Sequence, residues 1–419
     1  MKNVPFFKST SLGNNFVIVD ETHTPILKEP EKSSFAYQAT NINYGVGSDN
    51  FLILQSCRPE ILRSIQTVRQ YWDDLPDSRT ADYIFRMFEP NGVEAFCCAN
   101  GLLCIAQYLN LRYGVESAQV MTEIPNSKPK VVSIGTHQKS WTYWANLGHP
   151  RRISSNIADP TVTTPYDDVI DTLENINITF RAYDLAPFVQ EHLLKISGYL
   201  VFTGEPHLII FFDDGFSFKQ LSDMIFISSD RNISKPAKIE KRIDFGTWLI
   251  HHIGTFVNKH YAYIFPAGIN INFVKVNKKT GALEMRCFER GINRETLSCG
   301  TGALAVSFVA SRLKLVKTNR IILWPHRCRW NDPEAQILVE ENREGWLYHG
   351  QPVMLFEGVF AFENSLKKQN NTMGFERPTS DRESHLHNQS FLTQFLRIYS
   401  QRKGPFGGIS LIGSIGKIS

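Results

Sequence analysis

The sequence predicts an α+β protein of two related halves, each mostly β-strand around one central helix, followed by a polar tail. Three observations predict it. First, one motif occurs twice. It reads Arg86-Met87-Phe88-Glu89, Glu94 and Cys98-Ala99-Asn100-Gly101 in one copy, and Arg286-Cys287-Phe288-Glu289, Glu295 and Cys299-Gly300-Thr301-Gly302 in the other. In both copies a glutamate precedes the cysteine by four residues and a small-rich turn follows it. Second, an apolar helical pattern begins after each cysteine. Third, short runs of β-branched and aromatic residues between turn signals dominate the remainder.

The β-type runs are Phe16 to Asp20, Phe51 to Gln55, Trp141 to Asn146, Tyr199 to Thr203, Leu208 to Phe212, Ile271 to Val276, Ile321 to Trp324 and Gln336 to Glu340. The first helix shows Leu102, Ile105, Ala106 and Leu109 on one face. The second shows Ala305, Phe308, Val309 and Leu313, and its stretch Ala303-Leu304-Ala305-Val306 is apolar nearly all round. Such a helix belongs inside a domain rather than on its surface. The expected halves are residues 1–116 and 117–349, with a strand near 350–362 returning to the first half. Arg58 to Asp82 and Asp214 to Phe256 read as insertions. Residues 363–419 read as a basic, partly disordered tail, in which Phe391, Phe395 and Leu396 mark a short amphipathic stretch.

A chain of 419 residues suits two domains plus an appendage. Its 42% hydrophobic content is ample for cores. A net charge of +4 is too slight to imply nucleic-acid or membrane binding. No run approaches the ~20 apolar residues of a membrane helix, and Met1 to Phe7 lacks the apolar core of a signal peptide. Seven cysteines without scaffold spacing favour free thiols in a reducing, cytoplasmic setting. Cys98-x5-Cys104 lacks the two-residue spacing of a zinc site, so no metal is expected.

The cysteine pair carries the chemistry. An amino-acid Cα–H is a very weak acid. Inverting its carbon without a cofactor needs a base on one face, an acid on the other, and stabilisation of the charge that builds on the carboxylate. Thiols suit the first two tasks, because a helix N-terminus lowers a cysteine from its ordinary pKa of about 8.5. The third task falls to the N–H groups of Ala99, Asn100, Gly300 and Thr301 and to both helix dipoles. The bland alternative, a small buried hydrophobe, describes Cys57, Cys97, Cys104, Cys287 and Cys328 better than it describes Cys98 and Cys299.

These residues resemble the diaminopimelate epimerase family. Thr10 to Phe16 resembles its LGNDF opening, and Gly45 to Asn50 its glycine turn. Cys98 to Cys104 resembles CGNGARC, Gly204 to His207 resembles GNPH, and Gly268 to Phe273 resembles GVNVNF. Glu289 to Ala303 matches ERGxxETxxCGTGA closely. The resemblance implies two pseudo-symmetric domains, each a β-rich barrel around a helix, with the active site in the cleft between them. It implies no pyridoxal phosphate and no metal, a small amino-acid substrate, and a homodimer. Cys98 and Cys299 would be the acid–base pair. Asn14, Asn50, Asn270 and Arg290 would bind substrate, Glu289 would lie near the reacting amine, and His207 would tune the thiols. The implied activity is conversion of LL- to meso-diaminopimelate, a step of lysine and peptidoglycan supply.

Taken alone, Asn14 and Asn50 suit turn capping equally well, Arg290 suits an ion pair with Glu289, and His207 suits a satisfied structural histidine. The chain also departs from the family's pattern. An asparagine of the substrate site is Glu89, the asparagine of GNPH is Glu205, the glycine after the first thiol is Ala99, and the arginine of CGNGARC is Leu103. Two added carboxylates disfavour a substrate with a second carboxylate. A racemase for histidine, arginine, lysine or another basic amino acid is therefore the alternative reading. A non-catalytic scaffold relative is a third, and retention of both thiols speaks against it. Proline racemases follow their first thiol with Gly-His, where this chain has Ala99-Asn100.

Overall fold

The N-terminal strands form a hairpin whose turn already reaches toward the second cysteine. In the computed structural model β1 (Lys2–Ser11) and β2 (Asn14–Glu21) pair antiparallel. Leu12 and Gly13 turn between them with φ of 50° and 79°, the positive values that two-residue hairpin turns demand. A β-carbon on Gly13 would lie 2.3 Å from Cδ1 of Leu297, two residues before Cys299. The structure describes residues 1–137, 142–155, 157–179, 193–212, 225–226 and 236–363, with the side chains of 193 and 236–245 excepted. All belong to one compact unit, Met1–Asn364. The tail, with its expected amphipathic stretch, lies outside the described residues.

The strands continue as β3 (Asn50–Ser56), β4 (Tyr83–Phe88), β5 (Glu94–Ala95), β6 (Ser117–Thr122), β7 (Lys130–His137) and β8 (Thr142–Asn146). Next come β9 (Thr164–Pro165), β10 (Asp171–Thr179), β11 (Leu193–Phe202), β12 (Pro206–Phe211), β13 (Asn270–Val276), β14 (Leu283–Glu289) and β15 (Arg294–Thr296). The last are β16 (Arg320–Pro325), β17 (Ile337–Asn342), β18 (Gly345–Gly350) and β19 (Val353–Phe362). Helices are few, and the fold is sheet-rich.

The pairing order is written twice. In the first series β1–β2 is antiparallel, β2–β3 parallel, β3–β4 and β4–β5 antiparallel, β4–β6 parallel, and β6–β7 and β7–β8 antiparallel. The strands β11 to β18 repeat every one of these relations in the same sequence. Strand β19 flanks β1 as β10 flanks β11, and β8 pairs with β18 to join the two series. Register makes the correspondence residue-specific. Phe16 faces Asn50 where His207 faces Asn270, and Phe88 faces Glu94 where Phe288 faces Glu295. Asn14 thus corresponds to Glu205, Glu89 to Glu289, and Cys98 to Cys299.

Each series holds a helix. α1 (Glu31–Ala39) and α2 (Pro59–Arg69) precede α3 (Ala99–Tyr113), which begins at Cys98. α4 (Pro236–His260) precedes α5 (Gly300–Arg312), which begins at Cys299. Residues Gly300 to Ala310 of α5 are all buried, as the all-round apolar pattern predicts. A single apolar cluster contains residues of α3 and α5 together. The expected insertions turn out to carry helices. α2 packs Leu62 and Ile65 against Trp72 and Ile124. α4 runs past the expected end at Phe256 and buries Leu249, Ile250, Ile253 and Val257. Among the described residues no helix is long and apolar enough to cross a membrane.

The glutamate of each motif copy has a structural task. Buried Arg86 on β4 donates to Glu94 through Nε (2.6 Å) and Nη2 (2.7 Å). Buried Arg286 on β14 donates to Glu295 through Nε (2.5 Å) and Nη2 (2.6 Å). These two-pronged pairs tie the cysteine-bearing loop to its strand. Arg86 gains a second carboxylate, Glu29, at 2.6 Å from both Nη1 and Nη2.

Candidate active site

Each cysteine caps its helix in the same way. Cys98 (φ −143°, ψ 113°) and Cys299 (φ −131°, ψ 112°) are the extended residues just before α3 and α5. Their sulfurs accept the N–H of Gly101 and of Gly302, each at 3.4 Å. The N–H groups of Ala99, Asn100, Gly300 and Thr301 are the orphan donors of the two first turns, and no acceptor among the described residues takes them.

The two helix starts touch. A β-carbon on Gly300 would fall 2.5 Å from that of Ala99, so one side of this contact must be glycine. Asn100 stitches the starts together. Its Nδ2 donates to Ser298 Oγ (3.1 Å), and its Oδ1 accepts from Ser11 Oγ (3.3 Å) and Tyr348 OH (2.7 Å). Ser298 in turn donates to the carbonyl of Leu12 at 3.2 Å. Both polar atoms of the Asn100 side chain are therefore engaged, and its backbone N–H remains a donor at the helix start.

Both cysteines line one cavity, together with Asn14, Asn50, Glu89, Ala99, Asn100, Glu205, Asn270, Glu289, Arg290, Gly300 and Thr301. Every residue that the sequence proposes for the site is present there except His207. Met87, Cys97 and Ser298 line it as well. His207 lies beneath. Its Nδ1 accepts from Asn272 Nδ2 (2.9 Å), with the Asn272 amide in this orientation, which leaves Nε2–H to donate to Thr301 Oγ1 (3.1 Å). Thr301 Oγ1 is 3.6 Å from the Cys299 sulfur. The histidine thus reaches the thiol through a hydroxyl rather than directly. Burial, helped by Arg290, pushes His207 down to about 3, so it is neutral.

Cys98 donates to Asn14 Oδ1 at 3.5 Å, and Asn14 Nδ2 donates to Asp49 at 3.2 Å. The expectation that a helix start lowers this thiol is not met. Although Cys98 keeps some accessible surface toward the cavity, loss of water around its sulfur pushes it well above the ordinary thiol value. The Gly101 N–H and the helix end oppose that shift but are weaker than desolvation here.

Three carboxylates and one guanidinium meet in the cavity. Glu89 is pushed up to about 8 by burial, Glu205 and Glu289, and it accepts from Asn50 Nδ2 at 3.2 Å. Glu289 is pushed up to about 7, chiefly by burial, and accepts from the Thr296 hydroxyl. Arg290 pairs with Glu205 rather than with its neighbour Glu289. Its Nε (3.1 Å) and Nη2 both donate to Glu205 Oε2, and Nη1 donates to the Ala267 carbonyl (2.8 Å). Glu205 Oε1 accepts the N–H of Phe96 at 3.1 Å. Asn270 holds the same turn by accepting the N–H of Arg290 at 2.9 Å.

Cys287, Glu289 and Cys299 place two sulfurs and a carboxylate oxygen within 4.8 Å of one another. A thiophilic cation could use that set only after Cys287 lost the proton that burial holds on it. Sequence reasoning missed the parts played by Tyr348, Asn272 and Ser11. Ser11 and Asn272 fall inside motifs already singled out, but their partners Asn100 and His207 are distant in sequence, and Tyr348 comes from β18 with no motif around it.

No family model matches the chain. It is 28% identical to the diaminopimelate epimerase of Archaeoglobus fulgidus over 313 residues, 74% of this chain and 83% of that protein. It is 29% identical to the diaminopimelate epimerase of Methanothrix thermoacetophila over 325 residues, 75% of this chain and 84% of that one. Among solved structures, a hydroxyproline epimerase from Agrobacterium vitis superposes with a TM-score of 0.52 at 11% identity, over 87% of this chain and 94% of that chain. At that identity the likeness speaks for the fold alone. The relatives and the fold together define an isomerase of the epimerase and racemase type. By sequence the chain is similar to proteins named diaminopimelate epimerase, at 28–29% identity in the two relatives above.

Proposed function

We propose that the chain inverts the Cα of a free amino acid by passing protons between Cys98 and Cys299, without pyridoxal phosphate or a metal. One observation carries the reading: two cysteines at corresponding positions cap two touching helix starts and line the same cavity. The repeated pairing order supports the expected pair of pseudo-symmetric domains with the site between them. The relatives' name makes diaminopimelate the reference substrate.

The substrate carboxylate sits on the first-turn N–H groups of α3 and α5, where negative charge is favoured. One sulfur, as thiolate, takes the Cα proton, and the C–H electron pair moves into the carboxylate as an enediolate. The other sulfur, as thiol, delivers its proton to the opposite face of Cα. The sulfurs end with exchanged protonation, ready for the reverse direction. Each aimed donor is worth roughly 3–4 kcal/mol at the barrier, so four offset a large part of the weak acidity of Cα–H. Burial favours the protonated form of Cys98, which suits it to begin as the acid. Glu289, pushed up to about 7 and within 4.8 Å of Cys299, is placed to exchange a proton with that thiol near neutrality. Seven free cysteines suit a reducing, cytoplasmic setting.

The test is Cα-deuterium incorporation and loss of optical purity in D2O under reducing conditions. Cys98→Ala and Cys299→Ala should each abolish racemisation. Near-normal turnover in either variant ends the two-thiol assignment.

A further inference from the structure

The cavity has an acidic end that the proton transfer does not use. Cys98, Cys299, the two helix starts and Glu289 serve the reacting centre. Of the charged residues lining the cavity, that leaves Glu89, Glu205 and Arg290 to meet the rest of the substrate. Among the described residues lining the cavity Arg290 is the one cation, and its charge is already matched. Glu205 Oε2 holds its Nε and Nη2, the Ala267 carbonyl holds Nη1, and the Phe96 ring lies under the guanidinium at 5.8 Å. Glu205 is itself fixed, because its other oxygen takes the Phe96 N–H. An internal carboxylate therefore occupies the face of Arg290 that would otherwise receive a carboxylate from a ligand.

Glu89 is the remaining acceptor. It is packed against the Gly291 turn, where an added β-carbon would lie 3.1 Å from its Cδ. Among the described residues its side chain accepts a hydrogen bond from Asn50 and forms no salt bridge, although Arg290 attracts it from a distance. A second carboxylate entering here would face Glu89 and Glu205 with no unmatched cation to receive it. A cationic or amide group would find acceptors in Glu89 and Glu205, which both line the cavity.

We propose that the substrate is a monocarboxylic amino acid whose side chain ends in a cation or an amide donor, selected by Glu89 and by the Glu205–Arg290 pair. This rests on the two-thiol reading and narrows it to a substrate class. A cationic side chain beside Glu89 would favour its charged form and offset the burial and neighbouring carboxylates that push it up to about 8, whereas a second carboxylate would add to them.

The experiment uses the full chain in D2O with L-histidine, L-arginine, L-lysine, L-glutamine and LL-diaminopimelate, reading Cα-deuterium uptake by NMR. One of the first four should exchange with a kcat/KM at least tenfold above that of diaminopimelate. Glu89→Gln should lower kcat/KM for that substrate roughly ten- to hundredfold, mainly through KM, as expected for loss of a charged hydrogen bond. Glu205→Gln frees the guanidinium and should raise exchange of diaminopimelate at least tenfold. Should Glu89→Gln fail to fold, the Glu205→Gln comparison decides alone. Fastest exchange of diaminopimelate by the wild-type chain, or no gain toward it in Glu205→Gln, overturns the substrate class and leaves the two-thiol reading standing. Exchange of no amino acid by a folded chain defeats that reading instead, and the substrate class with it.

Discussion

Gly300→Ala probes how closely the two helix starts must approach. The new β-carbon would lie 2.5 Å from Cβ of Ala99 and 3.0 Å from Cζ of Tyr348. Non-bonded carbons settle at about 3.5–4.0 Å, so α3 and α5 must part by about 1 Å. Two effects oppose each other. Alanine is the better helix former, by up to about 1 kcal/mol. Overpacking costs about 1–3 kcal/mol, and here neither neighbour has room to yield. Ala99 opens α3, and Tyr348 is held by its 2.7 Å bond to Asn100. A net loss of about 1–2 kcal/mol of stability follows. The catalytic loss is larger, because a shift of about 1 Å in a reacting group costs roughly 100-fold in rate. The assay is chemical denaturation together with Cα-deuterium uptake for Gly300→Ala, Ala99→Gly and the double variant. The double variant removes the methyl that the new one meets, so it should recover much of the lost rate. A Gly300→Ala chain with wild-type rate and stability, or a double variant no better than the single one, refutes this account of the contact.

Two further outcomes follow from the charges. Glu295→Gln leaves Arg286 buried with only neutral direct partners, the Ile225 carbonyl and the Thr247 hydroxyl. It should cost about 3–5 kcal/mol, whereas Glu94→Gln should cost less because Arg86 keeps Glu29. Urea titrations that rank the two variants in the opposite order would sink the argument. Glu289 and Glu89 are pushed up from 4.5 to about 7 and about 8. Both bind protons more tightly folded than unfolded. The stability they confer is complete below about pH 4.5 and disappears as pH rises through 7 and 8. Unfolding free energy measured from about pH 5 to 9 should fall more steeply in the wild type than in Glu89→Gln, and equal slopes would contradict the shift at Glu89.

Much of the site was legible because it is written twice. The duplicated Arg-x-Phe-Glu and cysteine segments locate both helix starts, and the turn residues around Asn14, Asn50, Glu205 and Asn270 locate strand ends. Periodicity found α3 and α5, since each is a long apolar run. It did not find α1, which lacks a side-chain cap and contains no strong apolar stripe. Partnerships were the hardest to read. Adjacency suggested Arg290 with Glu289, yet consecutive residues at a strand end point apart, and Arg290 instead crosses to Glu205 before β12. The thiol's protonation was also misjudged from sequence. A helix start is a local feature, while the desolvation that outweighs it comes from neighbours brought in by the whole sheet.

The register correspondence separates what an inverting enzyme must keep alike from what it must make unlike. Under the proposed two-thiol mechanism both hands of Cα have to meet the same chemistry, so the groups assigned to act on it should be equivalent in the two series. They are: Cys98 and Cys299 have matching dihedrals and matching sulfur acceptors at 3.4 Å. The side chain of the substrate, by contrast, points one way only, so recognition has to break the equivalence. It breaks at Asn14 and Glu205, one touching a thiol and the other holding Arg290. It breaks again at Glu89 and Glu289, one bonded to an amide and the other to a hydroxyl and near Cys299. If Glu205 and Glu89 were remnants of drift with no role in recognition, no such division of labour would be required. Replacing them would then leave the choice among substrates where it was.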